Sequence, residues 1–277
     1  MKFILQVLSI SILLFVSYNL TLLVFPKIQN HSLAQHWWQE NKIKAEHFYY
    51  HKKAYDLIIV GTSMSEGIKL EEPNLKALTL NFIGGSSLTG LELIKRSKKL
   101  PKILIVETNW LERPVYEDLV DAATNPNFNK ATIVLPSLLE SNQPVNVLAA
   151  LIHIRPTSSD AAKVKGHFSE NLTQNIQAEK VAIDTTNVEE NVKKASALIN
   201  YFKNNGVKVY LMELPTDQQL YTASRSSVTR FAVHKYLKGI NSIPKYTAGP
   251  LETADGYHFT SGSKKSYIKH LTNFLRK

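Results

Sequence analysis

Cysteine is absent from the 277 residues. That excludes thiol catalysis, disulfide bonds, cysteine-ligated metals and a lipid-modified amino-terminal cysteine, and it leaves the compartment open. Negative charge is in short supply, with 23 Asp and Glu against 33 Lys and Arg, for a formal net charge of +10. Such a balance fits nucleic acid, an anionic membrane surface or an acidic polymer as a neighbour. The lysines are scattered, however, and no nucleic-acid-binding motif occurs, so nucleic acid is not an expected partner. Internal repeats and low-complexity tracts are also missing. The apolar and aromatic content is that of a globular chain, long enough for one ordinary domain with additions.

The longest apolar run, Phe3 to Phe25, carries only uncharged polar interruptions, among them Gln6, Ser17, Tyr18, Asn19 and Thr21. About 20 such residues suffice to cross a bilayer as a helix. A cleaved signal peptide competes with this reading, but its apolar region is normally shorter, and no small-x-small cleavage pattern precedes Pro26. We therefore read residues 1–28 as a retained transmembrane anchor. Lys2 and Lys27 nearly balance the flanking charge, and the very short amino tail makes an N-inside orientation the simpler expectation. Residues 29–54 form a juxtamembrane segment rich in rings and lysines, including Trp37-Trp38 and Tyr49-Tyr50. Two readings stay open for it: seating among lipid headgroups, or a helix packed by its aromatics. His31, His36, His47 and His51 lack an accompanying acidic ligand and are not read as a metal site; no cofactor is expected.

From residue 55 to 277 the pattern is that of strands alternating with helices, which predicts an α/β domain with a mostly parallel sheet. Leu57 to Val60 is a β-branched run ending at Gly61-Thr62-Ser63, with a helix-compatible segment behind it. Ala77 to Phe82, Lys102 to Asn109, Val207 to Leu214 and the weaker Ser242 to Thr247 are the further strand candidates. Helices are predicted over about Thr89 to Leu100, Val188 to Asn204 and Ser263 to Leu275. Between 110 and 184 the rhythm breaks at Pro114, Pro126, Pro136, Pro144 and Pro156, around one helical stretch from Val145 to Ile154. An insertion of this length after a strand reads as a lid or substrate-binding cap.

Ser63 falls at the carboxyl end of the first strand, where open α/β sheets place their ligands. Its hydroxyl there serves either as a helix cap or as a nucleophile beside backbone N–H groups. Asp255-Gly-Tyr-His258 adds a carboxylate and an imidazole three residues apart, able to meet on a turn and to activate a serine. Position 65 is serine, so the first block is not the Gly-x-Ser-x-Gly elbow of α/β-hydrolases.

Taken in order, Gly61-Thr-Ser63-x-x-x-Gly67, Gly84-Gly85 after the second strand, Asn109 after the third and Asp255-x-x-His258 resemble the four blocks of the SGNH, or GDSL-type, hydrolases. The resemblance implies a three-layer α/β/α sandwich of flavodoxin-like type, with Ser63 as nucleophile, His258 as general base and Asp255 as its orienting acid. The oxyanion would be held by the N–H of Ser63, the N–H of Gly84 or Gly85 and the side chain of Asn109. Thr62 stands where the family usually has Asp, and Glu107-Thr-Asn109 replaces its Gly-x-Asn-Asp. A Gly-Thr-Ser first block behind an amino-terminal anchor resembles the envelope branches of this superfamily. These imply an O-acetyltransferase or esterase acting on an envelope polysaccharide through a seryl ester, at the bacterial inner membrane with the domain facing the periplasm or outside. A membrane acyltransferase is a further implied partner. The alternative is a catalytically idle relative that binds glycan or scaffolds an acylation complex.

Overall fold

A computed structural model describes residues 1–25, 34, 36–50, 53–70, 72, 75–152, 168–181 and 183–276. The chain divides into two compact units, one of Met1–His51 with Asp121–Ser158 and one of Lys52–Val120 with Ser159–Lys277. The predicted insertion is thus shared out, its stretch from Asp121 belonging with the amino-terminal helices instead of with the sheet.

The first unit contains α1 (Lys2–Val24), which has the length and apolarity of a membrane span, and α2 (Trp37–Tyr50). Beyond the sheet unit's first half come α4 (Glu117–Thr124), which crosses the boundary, α5 (Pro126–Val134) and α6 (Pro144–Ile152). Asn125 caps α5, its Oδ1 accepting from the N–H groups of Asn127 and Phe128, with Pro126 at the first position where no N–H is needed. His31, His51, Pro156 and the end of the predicted 145–154 helix lie outside the described residues.

The second unit is an α/β fold around five strands: β1 (Leu57–Thr62), β2 (Ala77–Phe82), β3 (Ile103–Glu107), β4 (Lys208–Met212) and β5 (Asn241–Ser242). All four pairings are parallel, and the order is β2-β1-β3-β4-β5. Of the weak fifth candidate, 242–247, only Ser242 is in the strand found, which begins at Asn241. β1 is buried along its whole length, as its unbroken Leu-Ile-Ile-Val run requires of a central parallel strand. Leu57 and Ile59 pack in one cluster with Ile105, Met212 and with Tyr267 and Leu271 of the last helix, α11 (Ser261–Leu275). Val60 instead meets α3 (Ser87–Ser97), where a side chain at Gly90 would come within 2.8 Å of it.

Helix boundaries shift from the predicted ones where side-chain caps decide. Ser86 starts α3 by accepting from the Leu88 N–H, and Asp184 starts α8 (Thr185–Asn204) by accepting from that of Thr186. Between them lies α7 (Phe168–Lys180), and after β4 come α9 (Gln218–Tyr221) and α10 (Ser224–Tyr236). α7, α9 and α10 were not legible in the apolar periodicity. The largest correction concerns Ser63: no long helix follows it, only a three-residue 3-10 turn, Ser63–Ser65.

Candidate active site

Parallel register aligns the carboxyl ends of β2, β1 and β3, with Thr62 opposite Phe82 and Val60 opposite Val106. Chain direction reverses its order of strand addition between β1 and β3, the kind of switch point at which open sheets bind ligands. Ser63 leaves β1 there, Gly84 leaves β2, and Asn109 leaves β3.

The hydroxyl of Ser63 is free of capping duty because Thr62 performs it, accepting the Met64 N–H at 3.1 Å. Ser63 Oγ lies 2.9 Å from His258 Nε2, and His258 Nδ1 lies 2.6 Å from Asp255 Oδ2. The acid and the base come from one turn that organises itself. Asp255 Oδ1 accepts the backbone N–H groups of Tyr257, at 2.9 Å, and His258, at 2.8 Å. Gly256 sits inside that turn at φ +92°, and a Cβ there would come within 2.5 Å of Leu220 and 2.7 Å of Leu172. Burial raises the pKa of Asp255, but the hydrogen bonds from the His258 ring, from its backbone and from Tyr257 outweigh this and leave the carboxyl below its ordinary value. An ionised Asp255 places the ring proton on Nδ1, so Nε2 presents a lone pair to the serine hydroxyl. The His258 side chain is 39% exposed, open to a substrate. Asp255→Asn is expected to lower kcat of any serine-dependent turnover by about 10²- to 10⁴-fold, through loss of that tautomer, with little change in thermal stability; steady-state kinetics and a melting curve check it.

The expected oxyanion donors are distributed unevenly. The Gly85 N–H is already bonded to Phe82 O at 3.1 Å, whereas Gly84, at φ +73°, has no acceptor for its N–H among the described residues. Asn109 is partly committed elsewhere: its Oδ1 accepts the Leu214 N–H at 2.7 Å, and its Nδ2 donates to Leu214 O at 3.1 Å. One amide hydrogen of Asn109 is left over.

No family model matches the chain, and no curated protein matches it. Residues of the site must therefore speak through their own chemistry, including several that sequence reasoning passed over. Glu107 is fully buried beneath the Ser63 turn, accepting the Thr62 hydroxyl at 2.6 Å and the Thr62 N–H at 2.9 Å. Burial pushes its carboxyl above the ordinary range, opposed by those bonds and by Ser65. The two departures from the four-block pattern, Thr62 and Glu107, are thus partners. Trp110 adopts φ +53°, a strained value for a bulky residue, and its ring packs edge-on against Tyr257 with centroids 4.7 Å apart. Arg113 stacks over the Trp110 ring at 4.1 Å and donates to Gly84 O at 3.1 Å, while Ser86 donates to Arg113 O at 2.8 Å. These bonds clamp the loop after β2 to the loop after β3. Tyr257 is held by Glu179, and burial followed by that bond drives its hydroxyl pKa far upward. Only the proximity of Trp110 to Asn109 in the chain hinted at this wall. Among the described residues no group of three or more His, Asp or Glu is arranged around a metal-sized space.

Proposed function

We propose that this protein is a serine-dependent acyl-transfer enzyme, an O-acetyltransferase or esterase of SGNH type acting on a cell-envelope polysaccharide. The observation that carries the reading is the hydrogen-bonded chain from Asp255 through His258 to Ser63, closed by residues 195 positions apart. Three groups that meet across the fold in the order acid, imidazole, hydroxyl form the arrangement that turns a weak nucleophile into a strong one. Ser63 Oγ attacks the acyl carbon as His258 Nε2 takes its proton, and the N–H groups of Ser63 and Gly84 with the spare amide hydrogen of Asn109 receive the oxyanion. Collapse expels the alcohol, which takes the proton from His258 and leaves the acyl group on Ser63. A sugar hydroxyl or water then gives its proton to His258 and attacks the ester, and Ser63 departs with that proton.

The finer architecture belongs to the same reading. Strand order β2-β1-β3-β4-β5, with Leu57 and Ile59 facing α11 and Val60 facing α3, supports a flavodoxin-like three-layer sandwich. The length and apolarity of α1 support a single-pass anchor; in this reading the membrane is the bacterial inner membrane and the catalytic unit faces the periplasm or the outside. Incubating the full-length protein in detergent with a serine-directed fluorophosphonate should label Ser63 alone, and an acylated donor offered with envelope oligosaccharides should give acyl sugar by mass spectrometry. A fluorophosphonate that modifies nothing at Ser63, together with no ester turnover, would leave only the idle, glycan-binding alternative.

A further inference from the structure

The amino-terminal unit buries an unusual share of polar side chains. Beside the apolar Leu22, Ala45, Phe48, Ala123 and Val147, its interior takes in Asn19, Gln39, Glu46, Glu140, Asn142 and Asn146. Glu140 ties several of them together, its carboxylate accepting from Gln39 at 2.7 Å and Lys42 at 2.7 Å, its N–H donating to Glu46 at 2.7 Å and its carbonyl accepting from Asn146 at 2.7 Å. Many apolar side chains lie outside. Beyond α1 itself, Trp37, Ile133, Val134, Leu138, Val145 and Leu148 are exposed, whereas the much larger sheet unit exposes only Val181 and Phe231 among the described large apolar residues. Water does not favour that arrangement; a hydrocarbon boundary does.

What covers the apolar surface follows from where it is tied. Tyr18 donates to Asn142 O at 2.6 Å, Asn19 Oδ1 accepts the Ser137 N–H at 3.1 Å, and Leu22 is buried in the same unit. Tyr18 and Asn19 precede the end of α1 at Val24 by six and five residues, so their partners sit about 8 Å inside the end of the span at 1.5 Å per residue. That is the depth at which interfacial helices bury their apolar faces, about 5–10 Å into the boundary of headgroups and chains. We propose that the 126–152 segment is a membrane-inserted element which, with α2, seats in the leaflet around the exit of α1 and holds the protein by more than its single helix. It replaces the lid or cap expected of this insertion, and it rests on α1 lying in the bilayer, not on the acyl-transfer reading.

The lack of native cysteine makes the test direct. Single cysteines at Ile133, Val134 or Leu148 of the full chain, labelled with an environment-sensitive fluorophore after reconstitution into phosphatidylcholine–phosphatidylglycerol (3:1) vesicles, report depth through quenching by lipids brominated along the chain. All three sites are exposed, so the substitutions spare the interior. A label at Leu13 marks the span, and one at the exposed Lys203 marks water. The expected result is strong bromolipid quenching and weak iodide quenching at 133, 134 and 148, as at 13. Iodide quenching as strong as at Lys203 would overturn the proposal, as would shielding from both quenchers, which means a protein partner. Aqueous behaviour at Leu13 would overturn it through the anchor itself, and esterase activity measured in the same vesicles keeps either outcome separate from the fate of the catalytic reading.

Discussion

Replacing Ser63 by alanine is expected to lower turnover of an aryl acetate by about 10⁴-fold or more, with folding unchanged. Expected stability follows from the bonding pattern, since among the described residues the Ser63 hydroxyl is engaged with His258 alone while Thr62 supplies the cap of the turn. The members of such a triad act as a unit, so Ser63→Ala combined with His258→Ala should be scarcely worse than either alone. Steady-state kinetics and thermal melting on the same preparations decide the matter. A Ser63→Ala protein retaining a tenth of the activity would remove Ser63 from the reaction.

Gly61→Ala is expected to be the most damaging small change in the sheet. A Cβ at this position would lie 2.2 Å from Ser65 Oγ and 2.3 Å from Glu107 Oε2. Both are far ends of side chains, yet neither can turn away cheaply: Ser65 donates to Thr62 O at 3.0 Å, and Glu107 is fully buried on Thr62. Displacing the carboxylate strips a buried group of its donors while overpacking the strand end, which together cost about 3 kcal/mol or more. Urea unfolding of the detergent-solubilised chain should show the lowered midpoint. Residual protein should also lose ester turnover, because the same shift moves Ser63 away from His258. Gly61→Ala that melts like the native protein would mean the packing beneath Ser63 is looser than these distances imply.

Much of the sheet was legible because burial on both faces of a parallel strand writes itself as a β-branched run. Leu57 to Val60 and Ile103 to Val106 carry that pattern, and their order of appearance is the order of the strands found. The fifth strand was misplaced, since pairing with β4 falls on Asn241 and Ser242 and does not extend toward Thr247. α10 was missed since its Ser-Arg-Ser-Ser-Val-Thr-Arg start carries little apolar periodicity, with only Thr229 and Ala232 buried. At the site, spacing allowed Asp255 and His258 to meet on a local turn, but their roles came only with the resemblance to the four blocks. Their meeting with Ser63 could not be read from spacing, as it depends on the whole sheet between them. Glu107 was visible only as a departure, since nothing local says that a carboxylate at the end of β3 will lie under a threonine at the end of β1. The buried polar cluster of the amino-terminal unit was hidden for the same reason: Asn19 and Asn142 are ordinary residues until the chain brings them together.

The bond from Tyr18 to Asn142 joins residues 124 positions apart, which sets a clock on biosynthesis. At about 5–20 residues per second, some 6–25 s separate the emergence of the two partners. Throughout that interval α1 is in place while Ser137 and Asn142, the groups that will meet Asn19 and Tyr18, have yet to be made. The helix carries its own interim solution: the Asn19 carboxamide donates to Phe15 O at 3.0 Å, and Thr21 to Ser17 O at 2.9 Å, both one turn back. The acceptor Oδ1 of Asn19 and the hydroxyl of Tyr18 have to wait. On the proposed reading of α1 as an anchor, the helix stands alone in lipid first and becomes the docking post for a later stretch of the chain.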